Sequence, residues 1–173
     1  MRPTELTDFV VSLVSCGAFV ALTVLAASRG KRDPLARLLA LLCVNLVLYS
    51  SSEAIGVLGT HRSRPLWDWI NDITASESPP LFYHLVVAFV GQRKALQKAI
   101  IACHAYFGVL AILCASPFVF PQMAWFPGGV HWAIAMLVGM GTLIVHGIVL
   151  LTRHVRARRW KRKRDRDWCS RRR

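Results

Sequence analysis

Polar and apolar positions alternate along the chain on a scale of whole helices rather than single turns. Apolar residues dominate "DFVVSLVSCGAFVALTVLAAS" at 8–28 and "PLARLLALLCVNLVLYSSSEAIGVLG" at 34–59. They dominate again in "LQKAIIACHAYFGVLAILCASPFVF" at 96–120 and "VHWAIAMLVGMGTLIVHGIVLLT" at 130–152. A fifth stretch, 69–91, has the same length but carries Asp72, Glu77, Pro79 and Pro80. Crossing the hydrocarbon core takes about 20 mostly apolar residues of helix. The pattern therefore predicts an all-α integral membrane bundle of about five transmembrane helices over 1–152. The connections are short, which favours antiparallel neighbours, and no internal repeat is visible. Residues 153–173 form a separate polybasic tail.

Composition agrees. The 173 residues are 54% hydrophobic with mean hydropathy +0.42, too apolar for an ordinary soluble domain. The head, "MRPTELTD", holds more acid than base, and the apolar run behind it exceeds a usual signal-peptide core, so a retained helix is expected rather than a cleaved leader. Charge placement sets the orientation. Arg29, Lys31, Arg32 and Arg37 lie between the first and second stretches, and Arg93, Lys94 and Lys98 between the third and fourth. The tail holds twelve Lys or Arg against Asp165 and Asp167, whereas "PQMAWFPGG" between the fourth and fifth stretches has no charge. Basic loops stay cytoplasmic. An outside amino terminus and an inside carboxyl terminus fit every loop, provided that 69–91 crosses. Trp67, Trp69, Trp125 and Trp132 then fall at outer span ends, where indoles settle at the lipid boundary.

Ionisable groups at membrane depth are functional candidates by default. Glu53 lies eight residues before the outer connection at His61, and Glu77 eight residues after Trp69, so both carboxyls are expected roughly 12 Å below the outer edge. Such a pair would share a proton or hold a cation. Asn45, Tyr49, Ser52, Glu53 and Gly56 fall at helical spacing and read as one polar stripe facing the bundle interior. Pro79 and Pro80 remove two backbone donors, which would leave the carbonyls of Ala75 and Ser76 to find the Ser76 or Ser78 hydroxyl or a water. That reads as a polar break and a hinge. A second layer holds His84, His104 and His146, all at inner-leaflet depth. Paired imidazoles could hold a haem b, and three a transition metal. The plain alternative is that each imidazole makes a hydrogen bond across the bundle.

The five cysteines form no CxxC pair and no disulfide framework. Small residues, Gly108, Ala111 and Ala115 in the fourth stretch and Ala135 and Gly139 in the fifth, read as helix-packing positions. In the tail, Arg158, Arg159, Lys161, Arg162, Lys163 and Arg164 read as a clamp on anionic lipid headgroups. No recognised nucleic-acid module accompanies them. There is no catalytic motif and no water-accessible nucleophile–base pair, so an enzyme is not expected.

Taken together, "ARLLALLCVNLVLYSSSEAIGVL", "PLWDWINDITASESPPLFYHLVVAFVG" and "KAIIACHAYFGVLAILCASPFVF" resemble the amino-terminal seven-helix membrane region of sensor histidine kinases. The resemblance covers roughly 10–125 and rests on hydropathy, a mid-helix proline and an aromatic-rich half-helix. It implies a signal-input module of a bacterial inner membrane, truncated relative to the family's seven helices and lacking a kinase domain. A separate kinase or regulator would be its partner, and a homodimer stays open. In this reading Glu53, Glu77, Asn45, Tyr49, Ser52 and His84 form a ligand or proton site, hinged at Pro79 and Pro80, with no cofactor. The rival readings are a haem- or metal-binding redox protein built on His84, His104 and His146, and a small transporter built on the paired carboxylates.

Overall fold

A backbone amide in hydrocarbon has no water to bond, so a long apolar run closes its hydrogen bonds internally as a helix. The computed structural model describes residues 3–30, 33–58, 64–119 and 130–170. It contains five helices and, among the described residues, no strand: α1 (Pro3–Gly30), α2 (Pro34–Leu58), α3 (Arg64–Val90), α4 (Gln97–Val119) and α5 (Val130–Ser170). Four segments, Leu6–Arg29, Pro34–Leu58, Gln97–Cys114 and Val130–Arg158, are long and apolar enough to cross a membrane, as in a multi-pass membrane protein. α3 is long enough at 27 residues but falls short in hydropathy. The expected outer connections at His61 and at 121–129, with Trp125, lie outside the described residues.

Local chemistry sets the helix ends. Asp33 caps α2, its Oδ1 accepting from the Leu35 N–H at 2.9 Å, and Pro34 occupies the first helical position, where no N–H is needed. α3 stops in a Schellman turn. Gly91 takes φ +77°, its N–H bonds Ala88 O at 3.0 Å, and Gln92 N–H bonds Val87 O at 3.1 Å. That left-handed residue turns the chain directly into α4.

Packing gives each helix its direction. Ser12 meets Glu53 and Cys16 meets Ser51, so α1 and α2 are antiparallel. Ser52 meets Asn71 and Asn45 meets Ser78, so α2 and α3 are antiparallel as well. Tyr83 meets His146 and Phe89 meets His154, so α3 and α5 run parallel. α3 packs on α2, α4 and α5, while α1 packs on α2. The one helix without a segment apolar enough to cross on its own is thus the one packed on three others. One consequence is segregated charge: Arg29, Arg37, Arg93, Lys94, Lys98, Arg153 and Arg156 all gather at one end of the bundle.

The apolar core lies between α3, α4 and α5. Tyr83, Val87, Ile100, Cys103, Phe107, Met136 and Leu150 are buried there. Lipid-side residues such as Val14, Ile112 and Leu137 stay exposed, as expected where the solvent is itself apolar. Of the small residues, Gly139 has a clear packing role. A Cβ added there would lie 2.7 Å from Phe107 Cζ and 2.8 Å from Tyr106 Cε1, and Tyr106 donates to Ala135 O at 2.9 Å. Ala135 and Gly139 therefore form the slot into which α4 sets its two aromatic rings. Gly108 does not serve the same purpose, since nothing would approach its Cβ within 4 Å. Ala111 is buried, and the side chain of Ala115 lies outside the described residues.

α5 runs 41 residues, roughly 60 Å at the α-helical rise. It continues well past the expected span of 130–152 into the basic tail. Arg158 is exposed on it, while the side chains of Arg159, Lys161, Arg162, Lys163 and Arg164 lie outside the described residues. Replacing Gly139 by leucine should destabilise the protein by about 1–3 kcal/mol, the usual range for overpacking. Gly141→Leu, where nothing would lie within 4 Å of the added Cβ, should change stability little. Thermal unfolding in detergent, followed by helical circular dichroism, compares the two.

Candidate functional site

The polar residues of α3 lie at i, i+3 and i+7, and the face they make meets α2. Asn45 of α2 donates through Nδ2 to Thr74 O and to Ser78 Oγ, both at 2.8 Å. Ser52 Oγ donates to Tyr49 O at 2.7 Å and lies 3.3 Å from Asn71 Oδ1. Gly56 completes the seam, since a Cβ there would sit 3.8 Å from Trp67 Cβ. Ser52, Thr74 and Ser76 are buried. A continuous polar seam, closed by its own hydrogen bonds, therefore joins α2 to the amino-terminal half of α3.

Glu53 leaves that stripe. It sits at the stripe's edge on the helical wheel, is exposed, and accepts from Ser12 Oγ of α1 at 2.9 Å through Oε2. Glu77 is half-buried on α3, two turns before His84. Glu53 is thus engaged with α1 rather than with the α2–α3 seam.

The proline pair also differs from expectation. α3 stays helical through Pro79 and Pro80, so there is no break. Nor do the nearby hydroxyls serve the carbonyls of Ala75 and Ser76. Ser76 Oγ donates to Asp72 O at 2.8 Å and Ser78 Oγ to Thr74 O at 3.0 Å, each one turn back in its own helix. The reason is reach, because a serine in a helix bonds most readily to the carbonyl three or four residues before it. Pro80 is fully buried, and Pro79 faces a groove.

That groove lies beside the prolines. α2 and α5 each flank α3 rather than pack on one another, which leaves a cleft of about 480 Å³ along the floor formed by α3. Ala75, Ser78, Pro79 and Phe82 make the floor. Leu42, Leu46 and Tyr49 line one wall, and Met136, Met140, Leu143 and Ile144 the other. Its polar groups are few: the Tyr49 and Ser78 side chains border an otherwise apolar lining, the usual character of a site for a small apolar molecule.

The expected layer of three histidines divides. The rings of His84 and His104 meet edge to face with centroids 5.8 Å apart, and His84 Nε2 is buried without a hydrogen-bond partner among the described residues. His146 belongs elsewhere: its Nδ1 is hydrogen-bonded to Tyr83 OH at 2.8 Å, on the side of α3 facing α5. The three imidazoles do not converge. Among the described residues no group of three His, Cys, Asp or Glu side chains comes together as a metal site. The direct ring contact of His84 and His104 leaves no gap for a porphyrin plane between them.

No protein-family model, no curated protein and no solved structure matches the chain. The site therefore rests on its own geometry. Of the residues expected from the sequence, Asn45, Tyr49 and Ser52 gather at the α2–α3 seam beside the groove, with Pro79 in its floor. Glu53, Glu77 and His84 do not join them. Sequence reasoning passed over Ser12, Asn71, Thr74 and Tyr83, although Asn71, Thr74 and Ser78 repeat at helical spacing within the one span that is not wholly apolar.

Removing the Asn45 amide should cost about 1 kcal/mol, typical of a side-chain hydrogen bond between membrane helices. Asn45→Ala and Ser78→Ala should be non-additive in a double-mutant cycle of detergent unfolding. Additive losses would mean that the bond contributes nothing to stability.

Proposed function

We propose that the chain is a non-catalytic signal-input module of a bacterial inner membrane, five-spanning, with its amino terminus outside and its basic end inside. The observation that carries this reading is the groove of about 480 Å³ whose floor includes the proline-bearing turn of α3. Its ligand is a small apolar molecule with one hydrogen-bonding group, placed against Tyr49 and Ser78. Proline lacks the amide that would tie Pro79 to the preceding turn, so this is the turn of α3 that yields at least cost to the backbone ladder. A ligand between Phe82 and Met140 would favour one disposition of the two halves of α3 over another, which is the differential affinity a switch requires.

The coupling route follows from packing. α3 and α5 run parallel and touch at Tyr83–His146, at Phe89–His154 and at Val86 beside Gly147. Movement of the inner half of α3 is thereby passed to α5, which continues as one helix to the basic end. Resemblance to sensor histidine kinase membrane regions, in the proline followed by "LFYHLVVAF", agrees with an input role and implies a separate kinase or regulator as the partner. The charge at the inner end supports the orientation.

A fluorescent apolar amine, 1-aminoanthracene, tests the groove in liposomes. Binding should saturate at one molecule per chain and be lost in Ala75→Phe, which fills the floor. With nitroxides at Ala95→Cys and Ala157→Cys, the probe should shift the spin–spin distance, and Pro79→Ala should reduce the shift. Non-saturable partitioning that Ala75→Phe leaves unchanged would remove the proposal.

A further inference from the structure

A second groove lies at the opposite end of the bundle from the polar seam, and it has a charged mouth. α1 packs on α2 and α2 on α3, without comparable packing of α1 on α3, and a cleft of about 400 Å³ opens among the three. Its walls are apolar: Leu22 and Ala26 of α1, Leu39 of α2, and Val86 and Phe89 of α3. At the mouth stands Arg29, in the last turn of α1, exposed and with no hydrogen-bond or ion-pair partner among the described residues. Asp33 is also at the mouth, but its carboxylate accepts from the Leu35 N–H and caps α2. In sequence, the connection that leaves the cleft carries Arg29, Lys31, Arg32 and Arg37 against Asp33 alone, so it is basic.

Depth selects the occupant. From Arg29 to Leu22 is seven residues, roughly 10 Å along the helix, so the cleft descends from the headgroup level toward the bilayer centre. An apolar slot of that reach beneath a free guanidinium matches one amphiphile, an acyl chain below and a phosphate above. Guanidinium binds phosphate oxygens through paired N–H donors, a geometry that zwitterionic and anionic phospholipids both offer. Zwitterionic lipid brings its own cation to a connection that is already basic in sequence, which disfavours it. We infer that the α1–α2–α3 cleft is a binding site for an anionic phospholipid of the inner leaflet, with its phosphate on Arg29 and an acyl chain against Leu39, Val86 and Phe89. This site is distinct from the polybasic tail, which attracts the same lipids by charge without a slot for the chain.

The inference shares with the proposed function the premise that α1 and α2 cross the bilayer, and takes from it the orientation that makes the leaflet the inner one. Native mass spectrometry of the full chain, released from vesicles of equal phosphatidylglycerol and phosphatidylcholine, should find one phosphatidylglycerol retained in preference to phosphatidylcholine. Arg29→Gln should weaken retention roughly fivefold, the factor given by one headgroup cation. Ala36→Trp, which fills the cleft and leaves every charge in place, should abolish it. Arg93→Gln, a basic residue outside the cleft, should leave it unchanged. Equal retention of the two lipids overturns the proposal, as does phosphatidylglycerol retention unaffected by both Arg29→Gln and Ala36→Trp, which would assign the lipid to the tail. A chain released from membranes by alkaline carbonate would remove the shared premise, whereas a membrane-retained chain indifferent to headgroup charge removes the lipid site alone.

Discussion

A polar side chain in hydrocarbon must find its partner within the protein, and α3 carries more of them than any other helix at that depth. Thr74, Ser76 and Ser78 turn their hydroxyls back onto their own helix, while Asn71 and the Ser78 hydroxyl meet Ser52 and Asn45 of α2. Further along, Tyr83 meets His146 of α5. These contacts explain why the helix that lacks a segment apolar enough to cross alone sits where α2, α4 and α5 surround it. Lipid gives membrane helices no hydrophobic reason to associate. Interhelical hydrogen bonds, with close packing such as the Gly139 slot, therefore fix which helix lies beside which.

Both grooves follow from that arrangement. Because α3 is the shared neighbour, one groove opens between α2 and α5 beside its proline-bearing turn, and the other between α1 and its carboxyl-terminal half. The first gap faces Pro79 and is nearly uncharged, and the second ends at Arg29. Their difference in lining makes one suited to a small apolar molecule and the other to an amphiphile. α5 links the core to the basic end as a single helix, so whatever shifts its packing on α3 also shifts the position of the charged segment.

Four of the helices were legible in the sequence from length and hydropathy, while α3 was legible from its length and from the charge of the connections around it. Boundaries expected at 34–59 and 96–120 fall at Pro34–Leu58 and Gln97–Val119. The charge pattern was equally plain, as was the interior-facing role of Asn45 and Ser52. Partner choice was not. Helical spacing tells which residues share a face, but not which helix that face will meet, and Glu53 sits near enough to the edge of its stripe to be taken by Ser12 of α1. Matching depth suggested that Glu53 and Glu77 belong together and likewise His146 with His84, yet depth says nothing of direction around the axis. The prolines misled for a related reason. A missing amide predicts a weakened turn, but neighbouring helices can hold that turn helical, as they do around the buried Pro80.

The account turns on α3 passing from one face of the bilayer to the other despite its acids and prolines. The most direct measurement is the accessibility of the Schellman turn that ends it, with Gln92→Cys supplying the sole thiol in an otherwise cysteine-free chain. In intact cells a membrane-impermeant maleimide should leave that thiol unmodified until the membrane is permeabilised. Modification of the Gln92→Cys variant in intact cells would place the turn outside and contradict the account.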